Sequence, residues 1–282
     1  MFKTYYQLTK PGIIYGNAIT AIAGFFLASR GNINFLLLSQ TLIGISFVIA
    51  SSCVLNNIFD RNIDKKMQRT KNRALAKGSV SVQNAFVYAI ILGAIGFSTL
   101  IIFTNSLAML VALTGFILYV LVYTPIKHRS VYATLIGSIS GAVPPVVGYT
   151  AVANNLDLGV LILFLILVFW QMPHFYSIAI FRIKEYSQAN IPVLTVKSGI
   201  KTTRIHILFY IIGFIITASL LTVFGYTGYF YLLIVTLMGF IWLGLYIKGF
   251  KENNEKVWAR KMFRFSLWVL LATSIMMSLD VV

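Results

Sequence analysis

Only 7 of the 282 residues are acidic, and all charged residues together make up 11% of the chain, whereas a soluble domain carries about a quarter. That scarcity excludes an ordinary water-soluble fold. Cysteine is rarer still. Cys53 stands alone, so no internal disulfide can form, and a single thiol in an apolar stretch reads as packing. The apolar runs also lack period-two alternation, which argues against a membrane β-barrel.

What is present is hydrophobic sequence, 59% of the chain. It falls into nine stretches long enough to cross a ~30 Å hydrocarbon core, at roughly 11 to 29, 35 to 55, 84 to 103, 107 to 124, 131 to 153, 158 to 181, 205 to 225, 228 to 247 and 263 to 282. Lipid offers the backbone no hydrogen-bond partners, so these stretches are expected to be helices. The expected fold is an all-α polytopic membrane protein, one domain over residues 1–282. "FFLASRG", at the end of the first stretch, imitates a signal-peptide cleavage site. Pro11 and Gly12 open a run of spanning length there, and we read it as the first crossing.

The formal net charge of +16 invites a nucleic-acid reading, but the positions of the basic residues decide otherwise. Nine crossings place Lys3, Lys10, the run from Arg61 to Lys77, Lys127, Arg129, Arg182, Lys184, Lys197, Lys201, Arg204, Lys248, Lys251, Lys256, Arg260, Lys261 and Arg264 on one face, and only Arg30 on the other. By the positive-inside rule the N-terminus is cytoplasmic and the C-terminus outside. No nucleic-acid partner is expected.

The connections differ in length. Those on the outer face are short, whereas two on the cytoplasmic face, about 58 to 82 and 182 to 204, are long and hold three of the seven acidic residues. Both follow segments that run in the same direction, the second and the sixth. Both loops also carry a Lys-Gly-Ser or Lys-Ser-Gly turn, in "AKGSVS" and "VKSGIK". Two parallel four-helix repeats plus a ninth helix would produce this pattern and would place a site at the repeat interface. Two loops that merely happen to be long would produce it too.

In "NNIFDRNIDKKMQRTKNR", residues 56–73, Asn56, Asp60 and Asp64 recur every fourth position and form one polar stripe on a helix. Carboxylates at a helix C-terminus face the negative end of its dipole, so something positive must compensate. One candidate is Arg61, Lys65 and Arg69 on the same stretch, in a solvated cap. The other is Mg²⁺, which binds through one or two carboxylates together with substrate phosphates. A metal shared with a diphosphate, ringed by cations, is equipped to ionise an allylic diphosphate. The allylic cation then needs a dry, electron-rich pocket. Tyr123, beside "TPIKHR", is the aromatic candidate.

The Asn-x-x-x-Asp-x-x-x-Asp stretch resembles the motif of the UbiA-type intramembrane prenyltransferases. "TKPGIIYGN", "HRSVYATLIGSISGAVPPVVGY", "WQMPHFYSIAIFRIKEYSQANIPVL" and "WARKMFRFS" extend the resemblance over essentially the whole chain. "WQMPH" and "ANIPVL" are similar to the haem-modifying branch of that family. The resemblance implies transfer of the farnesyl group of farnesyl diphosphate to a vinyl group of protohaem (haem B), with addition of water. It also implies Mg²⁺ dependence and a site near the cytoplasmic face of a bacterial inner membrane, and it leaves open a contact with haem A synthase or a terminal oxidase.

Carried over residue by residue, the resemblance assigns Asn56, Asp60 and Asp64 to the Mg²⁺ and diphosphate site, with Arg69, Lys71 and Arg73 as phosphate partners. Many relatives have a second aspartate pair in the later loop. This chain offers Glu185 alone, near Arg182 and Lys184, as a ligand to a shared ion, an orienter of Lys184, or the base for incoming water. His174 follows Pro173 inside the sixth segment. An intramembrane histidine is a functional candidate and a usual haem ligand, with Gln171 beside it. The alternative for His174 is a hydrogen bond to the carbonyl freed at the proline. His128 and His206 lie at segment ends and read as interfacial, and "GAVPPVVGY" is expected to break the fifth helix. Two other functions share some of these features. One is a prenyltransferase for an aromatic or quinone precursor, in which "WQMPH" would have no special role. The other is a transporter, which the placement of the acids at a membrane edge disfavours.

Overall fold

The computed structural model describes residues 2–252 and 254–282. Among these, nine helices are long and apolar enough to span a membrane. They are α1 (Pro11–Ser29), α2 (Phe35–Asp64), α3 (Val82–Phe103), α4 (Ser106–Ile126), α5 (Ala133–Ala153), α6 (Leu158–Phe181), α7 (Leu194–Val223), α8 (Tyr229–Lys248) and α9 (Glu255–Leu279). The only β pairing among the described residues is an isolated bridge, Thr227 to Val281.

Three boundaries differ from those expected. α2 continues from Leu55 to Asp64, α9 begins at Glu255 instead of near 263, and α7 begins at Leu194 with an interruption at Gly199 (φ 81°, ψ 170°). Hydropathy marks where a chain can meet lipid. A helix satisfies its own backbone in either solvent and continues past that limit.

Two helices are irregular where they border the interior. α4 loosens into a π-helical turn over Leu118–Tyr123 just before Pro125, which has no N–H to give. Thr124 Oγ1 donates to the Tyr119 carbonyl at 2.8 Å there. α5 breaks at Ala142, ahead of Pro144 and Pro145, as the proline pair predicts.

α2 packs along α3, and α6 packs along α7, the equivalent pair four helices later. α1 lies against α5 so closely that a Cβ at Gly24 would sit 2.0 Å from the Pro145 carbonyl oxygen, and one at Gly148 would sit 2.0 Å from that of Ala21. α9 returns against α6 and α1, closing the bundle. The large apolar side chains left exposed, Ile102, Phe209 and Phe240 among them, are those a hydrocarbon solvent would cover.

Candidate functional site

Two, four and six crossings separate the start of α1 from the ends of α2, α4 and α6, so all four meet at one end of the bundle. A cavity of about 730 Å³ opens there, walled by α1, α2, α4, α5, α6 and α9, a size suited to small-molecule ligands.

Asn56, Asp60 and Asp64 all line this cavity and are buried, at 2%, 7% and 4% exposure. They are therefore no solvated cap, and the charges that pair with them are not those of Arg61, Lys65 or Arg69. Arg61 turns back to the Ile58 carbonyl and Lys65 is exposed. Asp60 instead accepts from Lys127 Nζ (2.5 Å) and pairs with His128 Nε2 (3.2 Å). Asp64 receives one guanidinium nitrogen of Arg73 on both its oxygens, at 3.0 and 2.9 Å. Asn56 accepts from Lys10 Nζ at 2.5 Å and donates to Thr124 Oγ1 at 3.0 Å. Such pairs are tightly bound to their surroundings, since losing one partner of a buried pair costs about 3–5 kcal/mol.

Lys10, Lys127 and His128 are the members that sequence reasoning missed. His128 was expected at the interface and sits on Asp60 instead. The "KHR" beside Tyr123 was the available signal. Lys10 takes up a left-handed backbone (φ 54°, ψ 66°) immediately before Pro11, a costly conformation of the kind found at functional sites. Burial pushes the Lys10 ammonium down to about 8. It lowers that of Lys127 as well, against the opposing pull of Asp60.

Of the expected phosphate partners, Arg69, Arg73 and Arg182 line the cavity, whereas Lys71 and Lys184 are exposed and outside its wall. Glu185 is outside the wall as well. It holds Arg182 Nη1 at 2.9 Å, so it orients Arg182 rather than Lys184. The reason is the short helix Ile183–Gln188, which directs Arg182 and Tyr186 inward and Lys184 away.

Tyr123 lines the cavity, stacked on Tyr119 with centroids 5.4 Å apart, and Lys127 Nζ lies 5.4 Å from its ring. On α6, Gln171 spends its amide nitrogen on the carbonyls of Ser138 and Leu167, both at 3.1 Å. His174 does not bond the carbonyl near Pro173. Its Nδ1 lies 2.7 Å from Ser266 Oγ on α9, and its ring stacks on Trp170. The lining thus includes a cluster of acidic and cationic groups around Asp60 and Asp64 and an aromatic cluster around His174.

Among the described residues no group of three or more His, Cys, Asp or Glu side chains could hold a metal. Two carboxylates one helical turn apart are the donor set present. That set fits Mg²⁺, which prefers oxygen, keeps several waters and completes its shell with substrate phosphates. The surrounding Lys10, Arg69, Arg73 and Lys127 fit the phosphates.

Residues 17–270 match the UbiA prenyltransferase family. The chain is 53% identical over 282 residues to the protoheme IX farnesyltransferase of Sodalis glossinidius, covering 99% of this chain and 95% of that one. It is likewise 53% identical over 281 residues to that of Serratia proteamaculans, with the same coverage. In fold it is similar to a digeranylgeranylglyceryl phosphate synthase structure, with TM-score 0.82, 21% identity and coverage of 99% and 98% of the two chains. It is also similar to a UbiA homolog from Archaeoglobus fulgidus bound to GPP and Mg²⁺, with TM-score 0.70, 15% identity and coverage of 98% and 99%.

Proposed function

The chain belongs to the UbiA prenyltransferase family, and from that premise we propose that it transfers the farnesyl group of farnesyl diphosphate to a vinyl group of haem B, with addition of water, giving haem O and diphosphate. The observation that carries the reading is the 53% identity to protoheme IX farnesyltransferases over nearly the full length of both chains. The two clusters lining the cavity support it, because a diphosphate and a flat aromatic macrocycle each find a matching one.

In this reading Asp60 and Asp64 hold Mg²⁺, which when bound neutralises charge on the departing diphosphate. Arg73 and Arg69 grip phosphate oxygens with planar guanidinium groups. Lys10 and Lys127 add point charges at the mouth, and Arg182, braced by Glu185, closes the ring of cations from α6. Asn56 spaces Lys10 from Thr124 and so fixes where the ammonium stands. The Tyr123 and Tyr119 faces shield the allylic cation once diphosphate leaves. The vinyl carbon attacks that cation, water forms a carbon–oxygen bond to the cation that results on the porphyrin side chain, and the proton it loses passes to the released diphosphate. The cavity walls keep other water away from the cation until the carbon–carbon bond has formed. His174 is the haem contact, and Gln171 supports it by fastening α6 to α5.

The site faces the cytoplasm, the N-terminus lies on the same side, and the membrane is the bacterial inner membrane, where haem O passes to haem A synthase or a terminal oxidase. Positive-inside asymmetry supports that orientation. The test is to supply membranes containing the protein with haem B, farnesyl diphosphate and Mg²⁺. Mass spectrometry should find a haem heavier by farnesyl plus water. A prenylated quinone precursor in place of modified haem would overturn the reading.

A further inference from the structure

Ser266 stands on α9, 92 positions from His174 in sequence, and holds two residues of α6 one turn apart. Its carbonyl accepts from Trp170 Nε1 at 2.8 Å, and its hydroxyl oxygen lies 2.7 Å from His174 Nδ1. The same hydroxyl lies 2.7 Å from the Phe263 carbonyl oxygen and donates to it.

A hydroxyl has one proton, and a carbonyl oxygen can only accept. The Ser266 proton is therefore committed to Phe263, and the bond to His174 must be donated by the imidazole. His174 carries its proton on Nδ1. Nε2 then keeps its lone pair, and no protein group among the described residues bonds to it. The ring cannot turn to offer another atom, because it is stacked on Trp170 at 4.9 Å and 29° and packed against Phe263 at 4.9 Å and Phe175 at 5.3 Å. Trp170 is in turn pinned by the Ser266 backbone. His174, Trp170, Phe175 and Phe263 all line the cavity.

A neutral imidazole locked by a partner on one nitrogen, with the other free in an aromatic cavity, is how proteins prepare a metal-ligating histidine. We propose that Ser266 is a positioning residue that fixes the tautomer and orientation of His174, so that Nε2 coordinates the iron of the porphyrin substrate. The inference rests on the haem reading given above and specifies how that substrate is held. Iron is recognised by one directed bond from α6, while the ring lies among Trp170, Phe175 and Phe263.

The test compares haem B with metal-free protoporphyrin IX, titrated into the purified full-length protein in lipid nanodiscs. The wild type should shift the haem absorption spectrum to that of a histidine-ligated iron and bind haem at least tenfold more tightly than metal-free porphyrin. His174→Ala should bind the two equally, and added imidazole should restore the ligated spectrum. Ser266→Ala should weaken haem binding about 10- to 100-fold, the usual effect of removing the partner of a ligating histidine, while metal-free porphyrin binds as before. A ligated spectrum that survives in His174→Ala would overturn the proposal. So would a Ser266→Ala protein that binds haem like the wild type, or one that loses both porphyrins alike. Mass spectrometry of the wild-type product tests the farnesyl-transfer reading separately, since iron could be ligated with no prenyl group transferred.

Discussion

Asn56 Nδ2 donates to Thr124 Oγ1 at 3.0 Å and ties α2 to α4 at a common depth. The two helices run in the same direction, so a rise of 1.5 Å per residue places Ile45 and Ala112 both about 17 Å below that bond. Both are buried and line the cavity. An extended farnesyl chain advances about 1.25 Å per carbon–carbon bond, or ~14 Å in all. In the proposed pose the diphosphate sits at Asp60 and Asp64, about 6 and 12 Å on the far side of that bond, so the farnesyl tail stops short of this pair and only a longer chain reaches it. Ala112→Phe should therefore leave KM for farnesyl diphosphate within about twofold and raise that for geranylgeranyl diphosphate by about tenfold or more, the cost of overpacking by 1–3 kcal/mol. Equal losses with the two donors would show that Ala112 does not limit the tail.

Lys10 gives the site a pH dependence. Burial holds its ammonium at about 8, well below the usual lysine value, so the group is charged below that pH and neutral above it. A diphosphate favours the charged form. KM for farnesyl diphosphate should consequently be flat at lower pH and rise up to tenfold per unit above about 8, while haem affinity stays level. Lys10→Arg keeps its charge throughout and should flatten the rise. Steady-state KM measured across this range in both proteins provides the check, and an equally steep rise in the arginine variant would assign the titration to another group.

The bundle was legible in the sequence because each span is apolar on all sides, and lipid makes hydropathy a direct record of helix number. The last turns of α2 were legible as helix from their polar stripe, but the burial of Asn56, Asp60 and Asp64 was not, because what covers them is other polar side chains rather than lipid. The acidic stripe could be read because its spacing is local. Its partners could not, since Lys10 lies 46 positions from Asn56 and Lys127 lies 67 from Asp60, and positive-inside charges give each such lysine a sufficient alternative explanation. The same distance in sequence hid Ser266 from His174. The partner of Glu185 was not legible either, since a lone acid in a polar loop gives no sign that Arg182 takes one of its oxygens and leaves the other buried without a partner.

Asp64 and Arg73 form the pair whose loss separates binding from chemistry. Asp64→Asn removes a proposed metal donor and leaves Arg73 without its counter-charge. Turnover should fall about 100-fold or more, in line with the loss of a group that stabilises developing charge. Arg73→Lys keeps the charge but gives up the guanidinium that spans both Asp64 oxygens, so it should raise KM for the diphosphate more than it lowers kcat. Haem titration should be unchanged in both variants. Single-turnover rates set beside porphyrin binding will show this, and full activity in Asp64→Asn would remove the metal-site assignment.

The approach of α1 to α5 sets the width of the cavity, and it depends on two glycines with nothing flexible opposite them. A methyl at Gly24 or Gly148 would lie 2.0 Å from a backbone oxygen of the facing helix, so the helices must separate. Alanine ordinarily favours a helix by about 1 kcal/mol over glycine, and that gain is available at Gly244, where a Cβ meets nothing within 4 Å. Gly244→Ala should therefore raise the thermal midpoint in detergent slightly, whereas Gly24→Ala and Gly148→Ala should each lower stability by about 1–3 kcal/mol. The two wedge the same contact, so the double variant should lose less than the sum of the singles. Full additivity, or a stable Gly24→Ala, would mean that α1 can move away from α5 without cost.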